Sequence, residues 1–213
     1  MKIKKRGLCP VITALFVFIF SFSGCISVDM ENRTTFELRD DGTIAQVIVD
    51  DADGSITGEE LENYINDSIN EFQNTHSGES VALENCRVSS EKVNITLVYS
   101  SVSAYADFNN VNCFNGTIKD AYAAGYDFNR SFYSMNGTSI PYFELPKYSA
   151  DCRLLILEEP VCVTLPGELR IVSSGVSIES DGGITVDNNA DDSFNESVQT
   201  TTESPVFLIY SVQ

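Results

Sequence analysis

Apolar and polar positions divide the chain into a leader and a body. Lys2 to Arg6 form a basic run, and Val11 to Phe22 is an apolar stretch broken only by Thr13 and Ser21. A positive start, a short apolar core and small residues after it make the layout of a secretory signal peptide. A membrane-spanning helix needs about 20 apolar residues, more than this stretch holds.

The body begins with strand-like patterns. Phe36 to Asp40, the turn Asp41-Gly42, and Thr43 to Val49 predict a β-hairpin, because Asp-Gly supplies a positive-φ turn. Thr57-Gly-Glu-Glu60 is a capping box, and Leu61, Tyr64, Ile65, Ser68, Ile69 and Phe72 then recur at helical spacing. This predicts a helix over 58–75, stopped by Gly78. Val81 to Val88 and Lys92 to Tyr99 predict a second hairpin, with Val93, Ile95, Leu97 and Tyr99 on one buried face.

Two short helices are expected at Val102 to Asn109 and Ile118 to Ala124, the second ended by Gly125. Phe128 to Pro146 is aromatic, rich in Asn and irregular. The β-branched, apolar runs Arg153 to Leu157, Val161 to Leu165, Glu168 to Val172 and Val206 to Val212 predict core strands. Residues 180–204 hold no Lys or Arg and read as a solvated polar loop. The pattern as a whole is a single α+β domain over 36–213. It is mainly antiparallel sheet with one principal helix at about 58–75 and two short ones.

Charge narrows the partners. The four basic residues of the leader removed, the body keeps nine basic against 31 acidic groups, a net of −22. Such a body repels phosphate backbones, so nucleic acid is not an expected partner. The same field repels an anionic bilayer, so net charge alone predicts that the body does not lie flat on lipid.

Candidate chemistry is sparse. Asp51-Ala-Asp53-Gly54-Ser55 through Glu60 has the look of an EF-hand loop, with Asp51, Asp53, Ser55 and Glu60 as weak calcium candidates. Val49 stands where the first carboxylate belongs, and the preceding segment is strand-like, so strand, turn and helix cap is the plainer reading. The single His76 offers no multi-histidine zinc site. It pairs with no cysteine by local pattern, and Gly78-Glu-Ser80-Val-Ala82 lacks the last glycine of a nucleophile elbow. Among 31 acids some pair always falls at glycosidase spacing, so the count carries no argument. Neither catalytic residues nor a cofactor are expected.

The leader ends in Phe22-Ser23-Gly24-Cys25, which resembles the lipobox of bacterial lipoproteins, with Phe22 where Leu is usual. The resemblance implies a diacylglyceryl group on Cys25, which becomes the mature N-terminus after removal of residues 1–24. Residues 25–35 then form a lipidated start and a tether of about ten residues, a reach of roughly 30 Å. With Cys9 removed and Cys25 acylated, Cys86, Cys113, Cys152 and Cys162 remain. In an exported protein they permit two disulfides in any of three connectivities, or four buried thiols. The Asn-x-Ser/Thr sequons at Asn32, Asn66, Asn94, Asn115, Asn129, Asn136 and Asn195 read as chance in a bacterial host.

The body also resembles uncharacterised lipoproteins of Gram-positive bacteria, through Leu38-Arg-Asp-Asp-Gly42, the acidic helix after it, Tyr105-Ala-Asp-Phe-Asn109 and Phe114-Asn-Gly-Thr117. That resemblance implies location and organisation, not mechanism. The expectation is a lipid-anchored, non-catalytic binding or accessory module on the outer side of the cell membrane. Its partner is an envelope protein or glycan, and the Tyr- and Asn-rich stretch Tyr105 to Tyr148 is its candidate surface. The alternative is a hydrolytic or Ca²⁺-dependent envelope enzyme, which requires carboxylates converging in a cleft.

Overall fold

Thr57 starts the principal helix, α1 (Gly58–Thr75). Its hydroxyl accepts from the Glu60 amide at 3.3 Å while the Glu60 carboxylate accepts from the Thr57 amide at 3.0 Å. Two helix-end donors are thereby satisfied reciprocally. Leu61, Ile65, Ile69 and Phe72 form the buried stripe. At the other end His76 stacks on Phe72, with ring centroids 4.2 Å apart, and Gly78 turns the chain with φ +95°.

The computed structural model describes residues 33–178, 184–186 and 205–212, all within one unit that runs Asn32–Gln213. The expected signal peptide, Cys25 and residues 26–32 of the expected tether lie outside the described residues, as do 180–183 and 187–204 of the expected polar loop.

The strands form two sheets. The first hairpin joins β1 (Thr35–Leu38) to β2 (Ile44–Asp51), and Gly42, at φ +84°, donates to the Arg39 carbonyl at 3.0 Å to close the loop. The second joins β3 (Val81–Val88) to β4 (Lys92–Tyr99). Then come α2 (Val102–Asn109), β5 (Cys113–Gly116), α3 (Ile118–Ala123), β6 (Phe132–Ser134), β7 (Ser139–Ile140) and a 3₁₀ helix over Tyr142–Tyr148. They are followed by β8 (Cys152–Leu157), β9 (Cys162–Thr164), β10 (Leu169–Ser173), β11 (Val176–Ile178), β12 (Ile184–Val186) and β13 (Val206–Ser211).

The seven-stranded sheet has the order β11-β12-β9-β1-β2-β4-β3, and the six-stranded one β5-β8-β13-β10-β6-β7. β1 pairs with β9 in parallel, and every other pairing among the described strands is antiparallel. The fold is α+β and dominated by antiparallel sheet.

Side-chain alternation in β13 shows how the layers stack. Val206, Leu208 and Tyr210 enter one core cluster, together with Phe36, Leu38, Ile44 and Ile48 of the seven-stranded sheet and the buried stripe of α1. Phe207 and Ile209 enter a second cluster, with Ile118 and Ala121 of α3, Phe128, and Leu145 of the 3₁₀ helix. The six-stranded sheet is therefore covered on both faces. That accounts for the unbroken apolar sequence of β13, since a strand wet on one side alternates. Close packing also dictates Gly167, where a Cβ would fall 1.7 Å from the Ser211 carbonyl oxygen.

Three features depart from the sequence expectation. Ile184–Val186, placed within the polar loop, is a strand whose Ile184 and Val186 are buried and which pairs with β9 and β11. Cys113–Gly116 pairs with β8 although its four residues show no alternation. The irregular aromatic stretch contains the β6–β7 hairpin and the 3₁₀ helix.

Candidate functional site

The calcium candidates are each committed to a neighbour. Asp51, at the end of β2, takes the Lys92 ammonium of β4 at 2.7 Å. Asp53 accepts from the Ser55 amide at 2.8 Å and from its hydroxyl, and these two bonds hold its carboxyl below the usual range. Glu60 is held low in the same way by the Thr57 amide and hydroxyl in the capping box. Strand end, turn and helix cap thus account for all three carboxylates. Among the described residues no group of three or more His, Cys, Asp and Glu is placed to hold a metal ion.

Cys86, Cys113, Cys152 and Cys162 are free thiols on four different strands. Cys86 and Cys162 share a sheet but sit on β3 and β9, four strands apart, roughly 19 Å at strand spacing. Cys113 stands opposite Leu157 on β8, so Cys152 lies five residues along that strand, roughly 16 Å away. A disulfide needs Cα atoms within about 7 Å, so neither pair within a sheet can bridge.

The aromatic stretch separates into an inner and an outer set. Tyr105 is fully buried, edge-on to Phe36 at 4.9 Å and to Tyr99 at 5.1 Å. Its hydroxyl donates to the carboxylate of Glu159, which is itself buried in the β8–β9 connection. The Tyr99 hydroxyl donates to Gln46 at 2.6 Å and accepts from the Asn109 amide at 3.2 Å. Polar tips of the inner aromatics are thus met within the core, as burial requires.

Burial pushes the Tyr99 and Tyr105 hydroxyls and the Cys113 thiol upward, and the nearby Glu159 charge adds to each. All three are kept neutral by folding, whereas in the unfolded chain they ionise at their ordinary values of 10.0 and 9.0. The unfolded state then sheds protons that the folded state retains, so stability is full below about pH 9 and falls as pH rises beyond it. Each group is expected to take about 1.4 kcal/mol per pH unit once above its ordinary value. Thermal unfolding followed by far-ultraviolet circular dichroism at rising pH checks this. An unfolding midpoint flat to about pH 11 contradicts the neutral burial of these groups.

The outer set is built on α3 and the 3₁₀ helix. Thr117 caps α3, accepting from the Asp120 amide at 3.0 Å while Asp120 accepts from the Thr117 hydroxyl at 2.6 Å. One face of the Tyr122 ring lies on Phe128, with centroids 3.9 Å apart and planes 18° from parallel. Phe128 is buried and packs on Phe207 at 5.1 Å, so Tyr122 rests on the second core cluster. The Tyr122 hydroxyl comes within 3.5 Å of the Tyr142 carbonyl oxygen. Tyr142 meets Phe143 edge-on at 5.9 Å, and buried Leu145 pins the segment that carries both.

Tyr122 is 40%, Tyr142 47% and Phe143 68% exposed. Three aromatic rings therefore face water, Tyr142 and Phe143 in contact with each other and Tyr122 joined to them through its hydroxyl at the Tyr142 carbonyl. What they offer is apolar and π contact with two hydroxyl tips, the composition of a contact surface.

No protein-family model, curated protein or solved structure matches the chain. Sequence reasoning marked Tyr105 to Tyr148 as one surface. The structure sends Tyr105, Phe128 and Phe132 inside and leaves Tyr122, Tyr133, Tyr142 and Phe143 outside. The signal for that division is weak, because Tyr142 and Leu145 share one face of a three-residue period and yet only Leu145 is buried, so spacing alone does not sort them.

Proposed function

We propose that this chain is a lipid-anchored lipoprotein on the outer side of the cell membrane, and that its body is a non-catalytic contact module of the cell envelope. Two observations support the reading. The leader with its Phe22-Ser23-Gly24-Cys25 motif resembles a lipoprotein signal, which implies acylation of Cys25 and a short tether. The observation that carries the module assignment is the exposed trio Tyr122, Tyr142 and Phe143, with Tyr122 held by a stack through Phe128 to the core and the other two by buried Leu145 on their 3₁₀ helix. Rigid exposed aromatics lose little side-chain freedom on binding, which makes them effective contact residues.

A photoreactive phenylalanine analogue at position 143, activated on intact cells, tests the assignment. Crosslinked species are expected from position 143 and not from the same analogue at Asp67, which is exposed on α1. Equal labelling from both positions removes the contact face.

A further inference from the structure

The charge of the body is not spread evenly. Residues 119–153, which carry the aromatic face, hold four basic residues (Lys119, Arg130, Lys147, Arg153) and four acidic ones (Asp120, Asp127, Glu144, Asp151). That stretch is neutral. The rest of the body keeps five basic against 27 acidic groups and so carries the whole net charge of −22. On the 3₁₀ helix itself the charges cancel locally, with Lys147 bound to Glu144 at 3.0 Å.

Acidic α1 packs into the core cluster on one face of the six-stranded sheet, whereas α3 and the 3₁₀ helix cover the other face. Among the described residues, α1 holds Glu59, Glu60, Glu62, Asp67 and Glu71 with no Lys or Arg, so an acidic helix and the neutral aromatic face lie on opposite sides of the sheet.

From this polarity we propose that the Tyr122–Tyr142–Phe143 face seats on the lipid interface of the membrane that carries the protein. The inference rests on the anchored reading above and names the occupant of the same surface. An anionic bilayer repels the acidic side and not the neutral one, so a tethered body turns the aromatic face towards lipid. Tyrosine suits the headgroup level, having an apolar ring and a hydroxyl that stays wet. Phe143, the most exposed of the three, is the ring with most surface free for insertion. Lys119, on the helix that carries Tyr122, is of a type whose ammonium can reach headgroup phosphates while its stem lies on apolar surface. A tether spanning roughly 30 Å keeps the face within range. The stand-off from lipid expected on net charge alone then applies to the acidic side only.

The chain contains no Trp, so Phe143→Trp introduces a unique fluorophore. The full lipidated protein carrying it is reconstituted into vesicles of phosphatidylethanolamine and phosphatidylglycerol. Blue-shifted emission is expected, with an approximately twofold or larger loss in vesicles of brominated lipid, as for a residue about 5–10 Å into the interface. Asp67→Trp, on the acidic side, is expected to give water-like, unquenched emission. Adding Tyr142→Glu to the Phe143→Trp chain is expected to abolish the quenching.

Retained protein with an unquenched, water-like indole at position 143 overturns the lipid assignment. So do photocrosslinks from position 143 that reach only protein or wall glycan, although these leave the contact-face reading intact. Failure of the wild-type protein to stay on vesicles counts against the anchor, and the membrane orientation falls with it.

Discussion

A Cys25→Ser chain is expected to leave the membrane fraction completely and to appear in the soluble exported fraction. Each buried methylene of an acyl chain contributes about 0.8 kcal/mol, and one chain alone gives only marginal, reversible binding. Two chains on the proposed diacylglyceryl group would hold the protein far more firmly than three aromatic side chains at an interface. The aromatic face orients the body and does not retain it. Loss of the thiol at position 25 (the proposed acceptor for the lipid) is therefore expected to remove essentially all membrane association, whatever the face contributes. Fractionation of cells expressing Cys25→Ser, with metabolic labelling by a radioactive fatty acid, reads the result. Persistence of the variant in the membrane fraction sinks the anchor, and with it the proposed location.

The second large effect concerns Tyr105. Tyr105→Ala is expected to destabilise the fold by about 4 kcal/mol, in the range seen when a buried aromatic is cut back to alanine. Two losses combine. The ring fills the space between Phe36 and Tyr99, and its removal leaves a cavity that backbone strands on one side cannot close. The hydroxyl donates to a buried carboxylate, Glu159, and its removal deprives that group of a hydrogen bond. Tyr105→Phe separates the two, because it keeps the ring and deletes only the donor, at an expected cost of about 1–3 kcal/mol. Urea unfolding of the three proteins measures both differences. A Phe variant as unstable as the Ala variant assigns the effect to the hydroxyl alone; an Ala variant within about 1 kcal/mol of wild type contradicts the packing described.

The local chemistry of the sequence carried much of the architecture, and its limits are instructive. Thr57 and Glu60 fix where α1 begins because the box needs those two side chains three residues apart. The two hairpins were legible because each pairs neighbours in the chain and the first turns on Asp41-Gly42. The partner of β1 on its other side was not. Thr35 lies beside Cys162 in a parallel register, a pairing set by tertiary packing with no local signature. Nor does strand pattern say how many sheets result, since β8 and β13 read equally well as centre strands of one sheet or two.

The candidate surface was legible only as composition. Tyr and Asn enrichment marked the right stretch of chain, but which rings face water depends on Phe128 and Leu145 being drawn into the second core cluster. Glu159 was missed outright. Glu158-Glu159-Pro160 reads as an exposed acidic turn, and only the fold places one of its carboxylates against the Tyr105 hydroxyl.

The position of β13 bears on the order of assembly. It is the last of the described strands in the chain, yet it lies between β8 and β10 at the centre of its sheet. During synthesis β5, β8, β10, β6 and β7 all precede it, so until residues 206–211 emerge the sheet can exist only as two separated pieces, β5–β8 and β10–β6–β7. Each leaves unpaired the backbone edge, of β8 or of β10, that β13 later takes. Closure demands contacts between distant parts of the chain, and such contacts slow folding. A chain that stays open until its final strand arrives is one that a translocation channel can still thread.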